Sequence, residues 1–302
     1  MQRHPQTRRA TDMETVAGLM SQMLTPEGIG QGLGFQPQPS DVIIAPYGKC
    51  GTTWLQQTVH GLRTRGDMDF DDISRVVPWI EPAADCGLDL EAEQKARPRA
   101  FKSHLGYDLV PKGCRYIVSL RDPRDAMVSL YHFFENWFFE AGSISLEEFA
   151  HQRYFRKGEA NPEGGDYWSH FSSWWAQRDN PNVLLLAYEN MKQDFAGTID
   201  RIAGFLDIPL DEQLRELVLH QSSMEFMLTH KDRFDDLIMR QRSAELLGLP
   251  TDSDSAKVRE GRVGAHKVAL SDELIAEFDE IWAATIAADH GLASYRQALD
   301  LL

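Results

Sequence analysis

The sequence predicts an α/β fold: a three-layer sandwich around a central, mostly parallel sheet, with a P-loop-like turn after its first strand. Three observations predict it. Four short apolar runs, Asp41–Pro46, Arg99–Ser103, Arg115–Leu120 and Asn182–Ala187, read as strands, and two are apolar on nearly every residue, the pattern of strands covered on both faces. Helical patterns alternate with them, which favours right-handed crossovers onto a parallel sheet. A glycine-containing turn, Gly48-Lys49-Cys50-Gly51, joins the first strand to the first of those helices.

Residues 1–12 read as a frayed tail. They are Arg-rich and free of acid until Asp12, which leaves an organelle-targeting peptide as the rival reading. Helices are expected over Thr53–Arg63, Arg124–Phe139, Tyr167–Gln177, Met191–Leu206, Asp211–His220 and Ser271–His290. The last opens with Ser271-Asp272-Glu273, an N-cap followed by acids in the first turn. Gly66–Pro98 and Thr229–His266 read as loops. Neither resembles a linker, so residues 13–302 are taken as one domain.

The chain has 302 residues and a formal charge of −15. That acidity argues against a nucleic-acid partner, because phosphate backbones need a basic face; a small anion in a local basic pocket is still allowed. The longest apolar run, Val183 to Ala187, falls far short of the about 20 residues of a membrane span. Three cysteines, without CxxC or Cys/His spacing, predict neither a disulfide framework nor a zinc site. A cytoplasmic setting is expected.

The turn after the first strand carries the chemistry. Its glycines let the backbone wrap around a ligand. The free N–H groups opening the next helix at Thr52 and Thr53 then point at that ligand, with the positive end of the helix dipole behind them. Lys49 adds a point charge. The pattern is not GxxxxGK[ST], since Lys49 precedes Gly51 rather than a hydroxyl residue. The third strand ends in Arg121 rather than a magnesium-binding carboxylate, which suggests a second anionic group held by a guanidinium fork. Asp122 remains available as a metal ligand. Lys102-Ser103-His104 closes the second strand. Ligands of parallel sheets sit beyond the carboxyl ends of strands, where Lys49, His104 and Arg121 can converge. Imidazole titrates near neutrality, so His104 is the candidate general base.

At these residues the sequence resembles the cytosolic-type sulfotransferases, which use 3′-phosphoadenosine-5′-phosphosulfate (PAPS) as donor. The segments that carry the resemblance are Tyr47-Gly48-Lys49-Cys50-Gly51-Thr52-Thr53-Trp54; Arg121-Asp122-Pro123-Arg124-Asp125 with Ser129 and Tyr131; Tyr188-Glu189-Asn190-Met191-Lys192; and the degenerate Arg259-Glu260-Gly261-Arg262-Val263-Gly264. The resemblance implies roles. Lys49 would stabilise the leaving oxygen between phosphate and sulfate. Cys50, Gly51, Thr52 and Thr53 would cradle the 5′-phosphate. Arg121, Ser129, Arg259, Glu260 and Gly261 would surround the 3′-phosphate. Trp54, Tyr188, Ser222 and Met224 would hold adenine. His104, Lys49 and Ser129 form the implied catalytic set.

Departures from the family pattern are Gly48 for Pro, Cys50 for Ser, Met224 for Phe, Glu260 for Lys and Ala265-His266 for Asp-Trp. Cys50 reads either as packing or as a redox-sensitive thiol. Glu260 removes a positive charge and predicts weaker donor binding. The acceptor pocket is expected to involve Trp79 and Glu81 from the loop before His104, with Lys102 and His104 themselves. Phe134 and Trp137 join them from a helix crowded with Tyr131, Phe133, Phe138 and Phe139, whose rings read either as core or as pocket wall. The loop 229–266 reads as a solvated loop or, by analogy with the family, as a cover over the donor. Sulfuryl transfer met by Lys, Arg and backbone dipoles needs no metal, so none is expected. The acceptor is expected to be a small, partly apolar molecule with a hydroxyl or amine; the oligomeric state is open. The alternatives are a kinase-like phosphotransferase and a non-catalytic adenosine-bisphosphate binder.

Overall fold

The computed structural model describes residues 9–156, 165–251, 257–259 and 261–302. The four expected strands form β1 (Val42–Ile44), β2 (Ala100–Lys102), β3 (Arg115–Leu120) and β4 (Val183–Ala187), in one sheet of order β2-β1-β3-β4. All pairings are parallel: Ile43 sits opposite Phe101 on one side and Tyr116 on the other. At the N-terminal ends of β1 and β2, a buried ion pair of 2.7 Å joins Arg99 to Asp41.

Alternation along the strands sends successive residues to opposite layers. Val42, Ile44, Ala100, Ile117 and Leu186 pack against Leu55, Val59, Ile199 and Ile202 on one face. Ile43, Phe101, Tyr116, Val118 and Leu185 share the other face's core with Phe134, Phe171, Trp174 and Phe278. The result is the three-layer sandwich that the strand pattern predicts.

The N-terminal region departs from expectation. Helices α1 (Met13–Ser21) and α2 (Pro26–Leu33) precede the sheet. Asp12 caps α1 through Thr15 N–H at 2.8 Å, and Thr25 caps α2 through Gly28 N–H at 2.9 Å. The Thr25-Pro26 step is a start signal, since proline suits the first helical position. Ala10 is buried and donates its N–H to the Phe138 carbonyl at 2.8 Å, so the stretch read as tail meets the core there; residues 1–8 lie outside the described residues.

The helix after β1, α3, runs Thr52–Thr64. Three other expectations are corrected. Met191–Leu206 is two helices, Tyr188–Gln193 and Phe195–Phe205, because Asp194 breaks the first and caps the second through Gly197 N–H at 2.9 Å. Ser271–His290 is Asp272–Trp282, followed by a wider π-turn at Ala283–Ala287 and a final turn Ala288–His290. The stretch 229–266 is not all loop, since it contains a helix, Leu237–Leu247, closed by Gly248 at φ 67°.

Candidate active site

β2 and β3 flank β1, so the chain leaves β1 for one side of the sheet and returns to the other. Beyond their carboxyl ends, where such a switch opens a crevice, lies a cavity of about 200 Å³. Lys49, Gly51, Thr52, Thr53, Trp54, Trp79, Lys102, His104, Arg121, Ser129, Phe134, Trp137, Tyr188, Ser222, Met224, Arg259 and Gly261 all line it. One fold therefore gathers most of the residues singled out from sequence. Glu260 lies outside the described residues.

The cradle is built from left-handed backbone. Lys49 stands at φ 65° and Gly51 at φ 96°. A Cβ on Gly51 would lie 3.1 Å from Tyr188 Cδ2 and 3.4 Å from Ser119 Oγ, so both conformation and space demand glycine there. Ser119 donates its hydroxyl to the Cys50 carbonyl and fixes the turn. Among the described residues no side chain caps α3, which leaves its first N–H groups available to an anion. Thr52 Oγ is buried without a hydrogen-bond partner among the described residues. An uncapped helix start with an orphaned hydroxyl suits a phosphate ester.

Cys50 is a correction. It does not line the cavity and is buried beneath the turn. Burial pushes its thiol up to about 12, so the redox-sensitive reading has no support in this environment.

Lys49 reaches into the cavity with Nζ 3.3 Å from the Lys257 carbonyl and 4.6 Å from the Phe133 ring centre. Burial, then the Lys257 ammonium, pull it down to about 7, against the opposing pull of Asp236. Arg121 donates to the Lys49 carbonyl at 2.8 Å and to the Arg262 carbonyl at 3.0 Å, with its guanidinium 4.4 Å from the Tyr188 ring. It thereby ties the cradle to the late segment. Trp54 donates its indole N–H to the Ser222 carbonyl at 2.9 Å, and its ring meets Tyr188 edge-on at 5.8 Å. Across from them Gly261, at φ 56°, comes so close that a Cβ would lie 2.4 Å from Met224 Cε. The late segment is clamped by Asp125, which accepts from Gly264 N–H at 2.6 Å and from His266 N–H and Nδ1 at 3.0 and 2.7 Å.

His104 stands at the end of β2 with Nδ1 2.7 Å from the Pro46 carbonyl. A carbonyl only accepts, so Nδ1 carries the proton and Nε2 keeps its lone pair. Burial, then the charge of Lys102, hold the imidazole well below its usual range. Glu81, expected to line the pocket, does not; it lies behind it, accepting the His104 backbone N–H at 2.7 Å. Trp79 meets the His104 ring edge-on at 5.2 Å. Phe134 and Trp137 belong at once to the buried core and to the cavity wall.

Asp122 is not free for a metal. Its carboxylate accepts from Arg124 N–H at 3.0 Å and holds the Arg124 guanidinium at 2.9 and 2.7 Å. Sequence reasoning missed Asp236, buried at φ 52° beside Lys102 and Lys257, and missed Met20, Met23 and Met239 on the cavity wall. No local pattern marks Asp236; Met20 on α1 and Met23 just beyond it were legible only with that helix in hand.

The turn after β1 offers an uncapped helix start and Lys49 to an anion, and Arg121 from the end of β3 and His104 from the end of β2 line the same cavity, an arrangement that suits group transfer from a phosphate-type ester. The sulfotransferase domain model matches residues 39–289, and the chain belongs to that family. Sulfotransferase 1C2 of Rattus norvegicus is 28% identical over 92% of this chain and 94% of its own. Sulfotransferase 2A1 of Rattus norvegicus is 32% identical over 82% and 85%. Among solved structures, mouse sulfotransferase SULT7A1 complexed with PAP matches with TM-score 0.65 at 22% identity, over 87% of this chain and 91% of that one. Retinol dehydratase in complex with retinol and PAP matches with TM-score 0.65 at 20% identity, over 85% of each chain. The chain is a sulfotransferase of the PAPS-dependent class. No helix among the described residues is long and apolar enough to cross a membrane.

Proposed function

We propose that the protein moves a sulfuryl group from PAPS to a hydroxyl or amine of a small, partly apolar acceptor, with His104 as general base and Lys49 on the leaving oxygen. The observation that carries this reading is the pairing, in one cavity, of an uncapped α3 start with a histidine whose Nδ1 is committed to the Pro46 carbonyl, which makes Nε2 the nitrogen with the lone pair. PAPS supplies an activated sulfur–oxygen bond whose leaving group is a phosphate. Gly51, Thr52 and Thr53 hold the 5′-phosphate through backbone N–H groups and hydroxyls. Arg121, Ser129, Arg259 and Gly261 form the 3′-phosphate end. Trp54, Tyr188, Ser222 and Met224 wall the adenine.

His104 Nε2 takes the proton of the acceptor hydroxyl as its oxygen bonds to sulfur; the bond from sulfur to the phosphate oxygen breaks, and Lys49 meets the charge that develops there. Glu81 and the Pro46 carbonyl fix the histidine from behind. Lys49 and the α3 dipole meet the charge without a bound cation, so transfer should persist in chelator. Location in the cytoplasm belongs to this reading too.

The test is an acceptor screen with mass-tagged donor. Wild type should sulfate at least one phenol or alcohol in the presence of chelator, and His104→Ala should lose about 10²–10⁴ in kcat. Dependence on added magnesium, or an unimpaired His104→Ala, would overturn the assignment.

A further inference from the structure

Arg121 is held in the cavity wall from behind. The peptide unit that follows it is gripped on both sides: its carbonyl, on Arg121, accepts from the Tyr167 hydroxyl at 2.5 Å, and its N–H, on Asp122, donates to Glu189 Oε1 at 3.1 Å. The unit is planar, so pinning it fixes the backbone angle that aims the Arg121 side chain. Glu189 follows Tyr188, whose ring lies 4.4 Å from the Arg121 guanidinium. One carboxylate thus ties the end of β3 to the segment after β4, where Arg121 and Tyr188 enter the cavity.

The other oxygen of Glu189 belongs to the C-terminal helix, Tyr295–Asp300. Tyr295, 6% exposed, donates its hydroxyl to Glu189 Oε2 at 2.5 Å. The same helix accepts the Asn190 side-chain amide at the Leu299 carbonyl, 3.2 Å away. Neither Tyr295 nor Glu189 lines the cavity. Glu189 makes no ion pair among the described residues; the partners of its two oxygens are the Asp122 N–H and the Tyr295 hydroxyl. Burial pushes its carboxyl up, and the bonds from Tyr295 and then Asp122 pull the other way. Without the tyrosine hydroxyl a half-buried carboxylate oxygen loses its partner, which is costly. The group then turns towards water or takes a proton, and either change loosens its hold on Asp122.

Resting on the donor reading above, in which Arg121 meets the 3′-phosphate, we propose that Tyr295 and Glu189 are positioning residues for the donor. The C-terminal helix, which lies outside the cavity, sets the aim of Arg121 through Glu189 and the Asp122 N–H, and with it the preference for a nucleotide that carries a 3′-phosphate.

The test measures, by calorimetry on the full chain, the affinity ratio of 3′-phosphoadenosine 5′-phosphate to adenosine 5′-phosphate, which lacks the 3′-phosphate. The proteins are wild type, Tyr295→Phe, Glu189→Ala and Glu189→Gln. Tyr295→Phe should lower the ratio by about threefold or more, part of what a hydrogen bond to a charged group contributes. Glu189→Ala should lower it further. Glu189→Gln keeps an oxygen for the Asp122 N–H and offers its amide to the Tyr295 oxygen, so its ratio should stay near that of wild type. A loss of folded protein reduces binding of both nucleotides alike and leaves the ratio unmoved. A wild-type ratio in Tyr295→Phe or in Glu189→Ala, with or without an equal weakening of both nucleotides, would overturn the proposal. A wild type that binds the two nucleotides equally contradicts the donor reading itself, and the proposal falls with it.

Discussion

His104 is defined by what it cannot do as much as by what it can. With Nδ1 bound to the Pro46 carbonyl at 2.7 Å, the ring cannot flip without losing that bond, and burial disfavours a second proton. Its base form therefore persists on the acid side of neutrality. The acid limb of kcat/KM for the acceptor should lie below the ordinary imidazole value of about 6.5, as a pH–rate profile will read; an acid limb at or above neutrality would contradict this. Lys49 titrates in the opposite sense. Its ammonium is the useful form and is lost as pH rises through about 7 in the donor-free protein. Donor kcat/KM, which reports the free enzyme, should fall above that value, and Lys49→Arg should remove this alkaline limb while lowering the rate, because a guanidinium keeps its charge but not the lysine's compact geometry.

Gly51 and α3 act as one element, since the left-handed turn aims the uncapped helix start into the crevice. Gly51→Ala combines a φ of 96° with a contact of 3.1 Å to Tyr188. It should lower stability by about 1–3 kcal/mol in denaturant titration, the usual cost of such strain, and weaken binding of 3′-phosphoadenosine 5′-phosphate (PAP) more than tenfold by calorimetry. Unchanged affinity would show that the turn is not the cradle. This element was legible in the sequence, because glycine, lysine and paired threonines after a short apolar strand state a local geometry. The strands were legible for a similar reason: Val42-Ile43-Ile44 has no polar face to mislead. The helix Leu237–Leu247 was not. It buries Arg240 and Ser243 alongside Ile238, Met239 and Leu247, so no apolar stripe marks it. The same cause hid Asp236, whose partners Lys102 and Lys257 are distant in sequence and meet only in the folded chain.

Across the whole molecule, charge is arranged against its own average. The chain carries −15, yet Lys49, Lys102, Arg121, Lys257 and Arg259 all line one cavity. A basic pocket in an acidic protein draws small anions to one place. Asp125 keeps that pocket covered by clamping Gly264 and His266. Asp125→Ala should loosen the late segment, with PAP affinity falling about tenfold and hydrogen exchange rising over 261–270; a variant that exchanges and binds like wild type would show the clamp to be idle.

The central claim is that a ribose bisphosphate is held between the β1–α3 turn and the late segment. Calorimetric titration of the full chain with PAP and, separately, with ADP and magnesium tests it most directly. Tight one-to-one binding of PAP, at least tenfold stronger than ADP and lost in Arg121→Ala, is the predicted result. Equal or stronger binding of ADP with magnesium, or no binding of PAP, would contradict it.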